Sequence, residues 1–211
     1  MNTYTLILTV GKHLTNTIKT TKMMKKQLLL LTFLLLNYVG FSQEYKVIPS
    51  GLKDKSNVEN AYLVIETPDK TNAKLYQNAI KYVNENYKNP EEVIKGKTEN
   101  EYLRFETYVP QFTKVNNSGA KLDVSMKYTT ELRFKDGKVR FEITDLSITA
   151  DNGGRSVEFS GSIWTGYPIY NKKNGDLRLP ETKSELENYF NTKVTEVKNF
   201  LMDIKTKKDD W

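Results

Sequence analysis

The chain has 211 residues, no cysteine, a single histidine and a formal net charge of +6, and it is long enough for one domain to bury its own core. Without cysteine there is no thiol redox chemistry and no disulfide stapling. The charge invites a nucleic-acid or membrane-surface reading, and where the bases lie decides whether that reading holds.

Residues 1–22 are rich in threonine, lack acids and carry no amphipathic period; they read as an extension from an upstream start codon. Residues 23–43, MMKKQLLLLTFLLLNYVGFSQ, have three parts. Lys25 and Lys26 are basic, residues 28–41 are apolar, and Gly40-Phe41-Ser42 offers small residues at −3 and −1 of a cut before Gln43. That is the pattern of a secretory signal peptide over residues 23–42. The run is shorter than the ~20 apolar residues of a membrane-spanning helix. A lipoprotein needs a cysteine at the cut, and there is none. The expected location is the periplasm, the cell surface or the medium, with membrane contact only through the signal peptide before cleavage.

Residues 1–42 hold five of the 32 bases and none of the 26 acids, so the remainder carries 27 bases against 26 acids, a net charge of +1. Nucleic-acid-binding domains carry a basic excess because phosphate contacts supply most of their affinity, so no nucleic-acid partner is expected. The same cut takes His13, the single histidine. Histidine-dependent nucleophilic catalysis and the usual zinc sites go with it. No cofactor or metal is expected.

Residues 43–59 are polar and read as a flexible N-terminal segment ahead of one domain at residues 60–206. Residues 60–67 are β-branched and aromatic, a strand stopped by Pro68-Asp69. Thr71 is placed to cap a helix on which Tyr76, Ala79, Ile80, Val83 and Tyr87 form one apolar face, ended by Asn89-Pro90. Residues 93–97 form a short strand, 98–101 a turn, 102–109 a strand with Leu103, Phe105 and Val109 on one face, and 110–119 a loop.

Residues 122–134 alternate cleanly into Asp136-Gly137, a strong two-residue hairpin signal. That turn pairs Phe134 with Val139 and Leu132 with Phe141, keeping apolar side chains together. It also sets Arg133 against Arg140 and Glu131 against Glu142. Like charges so opposed are unfavourable, and the diagonals Arg133–Glu142 and Glu131–Arg140 are the expected relief. A parity change places a bulge near Thr144-Asp145. Residues 151–154 form a turn, residues 155–164 a strand, and a loop with Pro168, Asn174-Gly175 and Pro180 follows. Residues 181–206 form the longest helix, with Leu186, Tyr189, Phe190, Val194, Val197, Phe200, Leu201 and Ile204 at spacings of three and four. Residues 207–211 are a frayed tail.

The fold class is therefore α+β: one curved antiparallel sheet in a β-α-β(4–5)-α order, with a long C-terminal helix packed across it. The run Tyr62-Leu63-Val64-Ile65, the Leu75-Tyr76 helix, and the run from Tyr128 through Lys135-Asp136-Gly137-Lys138 to Arg140 resemble domain of unknown function 4468. That is a family of exported Bacteroidota proteins. The resemblance covers residues 60–165 and implies a TATA-binding-protein-like, helix-grip type of domain. It brings no catalytic residues.

Candidate chemistry is sparse. Glu99, Glu101, Glu106, Glu131, Glu142 and Glu158 include the carboxylates a hydrolase of the glycosidase type would pair, but their interleaving with Lys and Arg reads as a solvated charged face. Asp151-Asn152-Gly153-Gly154 has oxygen ligands for calcium without the spacing of a dedicated loop. Ser156, Ser160 and Ser162 lack an activating base and read as strand residues. Gly161 marks a bend, and Trp164 reads as core. Tyr76, Tyr82, Tyr87, Tyr128, Tyr189, Phe190 and Trp164 should converge between sheet and helix, as an aromatic core or as the lining of a cavity for an apolar ligand. The expected function is that of an exported, non-enzymatic binding domain for a small apolar molecule or an envelope protein. A carboxylate-only hydrolase is the rival, and DNA binding by fold analogy runs against the charge.

Overall fold

The alternation around Asp136-Gly137 builds the centre of the protein. The computed structural model describes residues 43–117, 119–151 and 154–204; the segments expected to be an upstream extension and a signal peptide, Asn152, Gly153 and the expected tail lie outside the described residues. The described residues form one compact unit. In chain order the elements are β1 (Tyr45–Ile48), β2 (Gly51–Asp54), β3 (Tyr62–Glu66), α1 (Asn72–Asn86), α2 (Pro90–Val93), β4 (Ile94–Thr98), β5 (Tyr102–Asn117), β6 (Ala120–Lys135), β7 (Lys138–Ala150), β8 (Val157–Gly161), β9 (Tyr167–Asn171) and α3 (Pro180–Leu201). Five strands form an antiparallel sheet in the order β3-β7-β6-β5-β4, and the protein is α+β.

Gly137 adopts φ +76°, the left-handed conformation such a turn requires. Phe134 then faces Val139 and Leu132 faces Phe141, the expected register. The bulge also lies where parity placed it. Lys127 and Thr129 face Ser147 and Thr144, so β7 spends one extra residue, and Asp145 takes φ +48°.

The expected loop at 110–119 is instead strand. β5 continues to Asn117, with its register shifting between Val109 and Thr113. Pro110 has no N–H for the ladder, and a bulge absorbs it without ending the strand. Gln111 has φ +48° and its N–H donates to Ser125 Oγ at 3.1 Å.

Residues 43–59 are not a flexible segment. β1 and β2 form a hairpin whose Tyr45, Val47 and Leu52 are buried in the core. The edge donors of β1 go to α3: Tyr45 N–H to Asn191 Oδ1 at 2.7 Å and Val47 N–H to Glu187 Oε1 at 2.9 Å.

The strand expected at 155–164 ends at Gly161, and part of the following loop is β9, which runs parallel to β8. Parallel neighbours ordinarily need a crossover of a dozen or more residues; here residues 162–166 make the return. Tyr167 N–H donates to Ser156 O at 2.9 Å, and a Cβ on Gly166 would stand 2.7 Å from that same oxygen. Only glycine allows the approach.

Thr71 caps α1, its Oγ1 accepting from Lys74 N at 3.3 Å. The buried face is rotated from the expected one: Leu75, Asn78, Ala79, Tyr82 and Val83 are buried, while Tyr76, Ile80 and Tyr87 are partly covered. The helix stops at Asn86, with Tyr87 already extended, ahead of the expected Asn89-Pro90 stop. Pro90 instead begins the short α2, so the next strand starts at Ile94 and not at Val93. On α3, Leu186, Phe190, Val194, Val197 and Leu201 are buried. The helix stops at Leu201, leaving Ile204 exposed beyond it. Phe190 lies 5.1 Å from the Tyr128 ring and 6.4 Å from Tyr45, and Tyr82 lies 5.5 Å from Phe200. Phe190 thus joins α3 to the sheet and Tyr82 joins α1 to α3, while Tyr76 of α1 meets Phe134 of β6 edge-on at 5.8 Å, so both helices pack on one face of the sheet.

Candidate functional site

Among the described residues the other face of the sheet carries no helix, and the strand registers order its side chains into rows. One row runs Val64, Arg140, Arg133, Tyr102, Thr98 across β3, β7, β6, β5 and β4. The next runs Tyr62, Glu142, Glu131, Arg104, Gly96. The opposed like charges expected around the hairpin are therefore present. Their relief differs from the expected diagonals. Arg140 Nη2 meets Glu142 Oε2 at 2.6 Å and Arg133 Nη2 meets Glu131 Oε2 at 3.8 Å, each along its own strand. Residues two apart share a face of a strand, so the partner is already present without crossing the ladder. Arg104 joins Glu131 at 3.7 Å and Asp145 at 2.5 Å.

Tyrosines from the flanking strands take the flat faces of two guanidinium groups. Arg140 Cζ lies 3.9 Å from the Tyr62 ring centre, and Arg133 Cζ lies 4.7 Å from that of Tyr102. Cation–π attraction and stacking hold arginine in one orientation.

Between these stacks, at the hairpin end of the sheet, is a groove of about 580 Å³. Tyr62, Val64, Tyr102, Arg133 and Arg140 line it, with Thr98 and Glu101 at the β4–β5 turn and Lys135 and Lys138 astride the hairpin. Four of those residues are cationic and one, Glu101, is acidic. Among the described residues Lys135 and Lys138 have no ion-pair partner, and Arg133 has only its 3.8 Å contact with Glu131. Arg140 Nε is buried without a hydrogen-bond partner.

The candidate carboxylates are dispersed. Glu131 and Glu142 do come together as direct cross-strand neighbours with 15% and 19% exposed side chains. Each is ion-paired with arginine, and Glu131 Oε1 also accepts from Thr144 Oγ1 at 3.1 Å. Glu106 pairs with Lys127 at 2.9 Å. Glu99 and Glu101 lie in the turn before β5, and Glu158 lies on β8 beside a smaller cavity of about 190 Å³. The calcium-type turn is described only at Asp151, whose Oδ1 accepts from Ser125 Oγ, and at Gly154. Ser156 bridges Thr149 and Ser160 faces Tyr170. Ser162 Oγ accepts from Trp164 N at 3.3 Å within the return loop.

Trp164 is 79% exposed and not part of the core. Because β8 ends at Gly161, the tryptophan falls in that loop. The remaining aromatic residues do converge under the helices. Tyr128 O–H and Tyr189 O–H are 2.9 Å apart, and Tyr87 O–H and Thr107 Oγ1 are 2.6 Å apart. Burial, with smaller contributions from neighbouring tyrosines and acids, pushes the Tyr128, Tyr45 and Tyr82 phenols well above their ordinary range and Tyr87 up to about 12. The expected apolar cavity was to lie in this layer; the 580 Å³ groove lies on the opposite face. Sequence reading missed Tyr62, Tyr102, Arg133 and Arg140 as a group. Its one signal was the clash of like charges beside the hairpin.

Residues 62–149 match the model of a family described as domain of unknown function (DUF4468) with TBP-like fold, within the span on which the resemblance was read. Two solved structures are similar. A DUF4468 family protein from Bacteroides ovatus ATCC 8483 has 13% identity and a TM-score of 0.47, over 70% of this chain and 88% of that one. A TBP-like protein from Parabacteroides distasonis ATCC 8503 has 12% identity and a TM-score of 0.43, over 68% and 89%. No curated protein matches the chain.

Proposed function

We propose that this chain is a non-catalytic binding domain of an exported protein, and that the groove between Tyr62 and Tyr102 is its binding site. The observation that carries the reading is the pair of guanidinium groups, Arg133 and Arg140, held against tyrosine rings beside a 580 Å³ groove. A volume of roughly 300–1,000 Å³ is usual for a small-molecule site, and side chains fixed on a sheet lose little freedom on binding. Of the carboxylates of the hydrolase reading, Glu106, Glu131 and Glu142 are committed to ion pairs, and Glu101 is the one acid in the groove lining, so no second carboxylate faces it across the groove. Export rests on residues 23–42. Nucleic acid is not the ligand in this reading, because Glu106, Glu131 and Glu142 interrupt the bases along the same face.

The test is native mass spectrometry of protein purified from its own cell envelope. The expected spectrum has Gln43 as N-terminus and a retained small molecule that disappears in the Tyr62→Ala, Arg140→Ala double variant. A retained molecule indifferent to those substitutions, or a hydrolase activity abolished by Glu131→Gln, would replace this reading.

A further inference from the structure

We propose that the occupant of the groove is a small molecule carrying an oxyanion, a carboxylate or a phosphate, gripped between Arg133 and Arg140. This rests on the groove being the binding site, and it names what the site takes.

Charge is the first reason. The lining sets Arg133, Lys135, Lys138 and Arg140 against Glu101 alone. Geometry is the second. Arg133 and Arg140 are direct cross-strand partners, a pairing that brings backbones within ~5.5 Å and that repulsion disfavours. An oxyanion between the two guanidinium groups turns that repulsion into two attractions. A guanidinium stacked on a ring keeps its in-plane N–H edge open, which is the edge that meets carboxylate or phosphate in a forked pair. Arg133 is the freer of the two. Its side chain is 58% exposed, and among the described residues it makes no hydrogen bond that competes for that edge. Arg140 has Nη2 committed to Glu142 and is the more rigid wall.

Size separates a small anion from a polymer. The basic rows are the two nearest the hairpin, Arg133–Arg140 and Lys135–Lys138. The neighbouring row carries Glu131 and Glu142, and Glu106 lies beyond it on β5. A long polyanion crossing this face would pass from bases to acids, whereas a compact ligand in the groove meets Glu101 as the one acid of the lining.

The test is a heteronuclear NMR titration of the purified protein with pyrophosphate, with citrate and with glucose. Saturable shifts at the amides of Thr98, Tyr102, Arg133, Lys138 and Arg140 are expected with one or both anions, and the tighter anion identifies phosphate or carboxylate. Arg133→Gln and Arg140→Gln should each weaken binding about tenfold or more, and Arg133→Lys should also weaken it because the fork is lost. Lys198→Gln, on α3, should change nothing. An unperturbed spectrum away from the groove confirms that each variant is folded. Anion binding that ignores both arginine substitutions overturns the proposal. So does tighter binding of a DNA duplex than of either small anion. If glucose shifts the groove amides and the anions do not, the oxyanion is wrong and the binding site stands. If no probe shifts them and the molecule retained in the native preparation survives both arginine substitutions, both readings fall.

Discussion

Asn78 Nδ2 donates a buried hydrogen bond to the Leu201 carbonyl oxygen at 2.9 Å, across 123 residues of sequence. The last carbonyls of a helix have no donor within it, so α1 supplies one to the end of α3. The same amide reaches Asp203 Oδ1 at 3.1 Å. Asn78→Ala leaves the carbonyl buried and unpaired, and the expected cost is ~1–3 kcal/mol, read from urea unfolding. A loss below ~0.5 kcal/mol would mean that water replaces the amide.

Leu201 is fully buried on the face of α3 that also carries Phe190 and Val197, while Lys198 is exposed. Leu201→Ala should cost ~2–5 kcal/mol through lost burial and the cavity left behind. Lys198→Ala should stay within ~0.5 kcal/mol. Equal and mild effects in thermal unfolding would contradict the packing of this helix.

The Lys70 ammonium, 2.6 Å from the Asp203 carboxylate, holds that carboxyl below its ordinary 3.8, with help from the Asn78 amide and Lys74. A depressed carboxyl stabilises the fold above its unfolded pKa, and the contribution disappears as pH falls through the folded value. Wild type and Asp203→Asn should therefore differ at neutral pH and converge below about pH 4. The difference will be small, because the Asp203 side chain is 47% exposed and solvent screens the pair. A gap in urea midpoint that stays constant through the acid range would count against this link.

Tyr128 is buried against Phe190 and shares a hydroxyl hydrogen bond with Tyr189. Burial raises its pKa far above the ordinary 10.0. A phenol raised by folding gives its full stabilisation below the unfolded pKa and loses it as pH climbs from there towards the folded value. Above about pH 10 the protein should lose stability, with tyrosinate absorbance from the buried rings rising together with unfolding. Tyr128→Phe should cost ~0.5–1.5 kcal/mol near neutrality from the lost hydrogen bond, and the gap to wild type should narrow in alkali. Ionisation of the buried phenols ahead of unfolding would show that solvent reaches this layer.

The features legible in the sequence are those whose causes lie close together in the chain. Alternation and a two-residue turn set the β6–β7 register, because one residue of slip would turn Leu132, Phe134, Val139 and Phe141 to solvent. Parity located the bulge at Asp145, Thr71 announced the start of α1, and spacing picked out the buried face of α3. Tertiary structure decided the rest. β1 pairs its edge with side chains of α3 about 140 positions away, and no local pattern marks Tyr45 as core. β9 lies parallel to β8 because Gly166 admits the Ser156 carbonyl. The buried face of α1 turned to bring Asn78 to the end of α3. The groove has the same origin. Arg133 and Arg140 are neighbours through a local hairpin, but the rings that orient them come from β3 and β5, and only pairing of distant strands makes the four side chains one site.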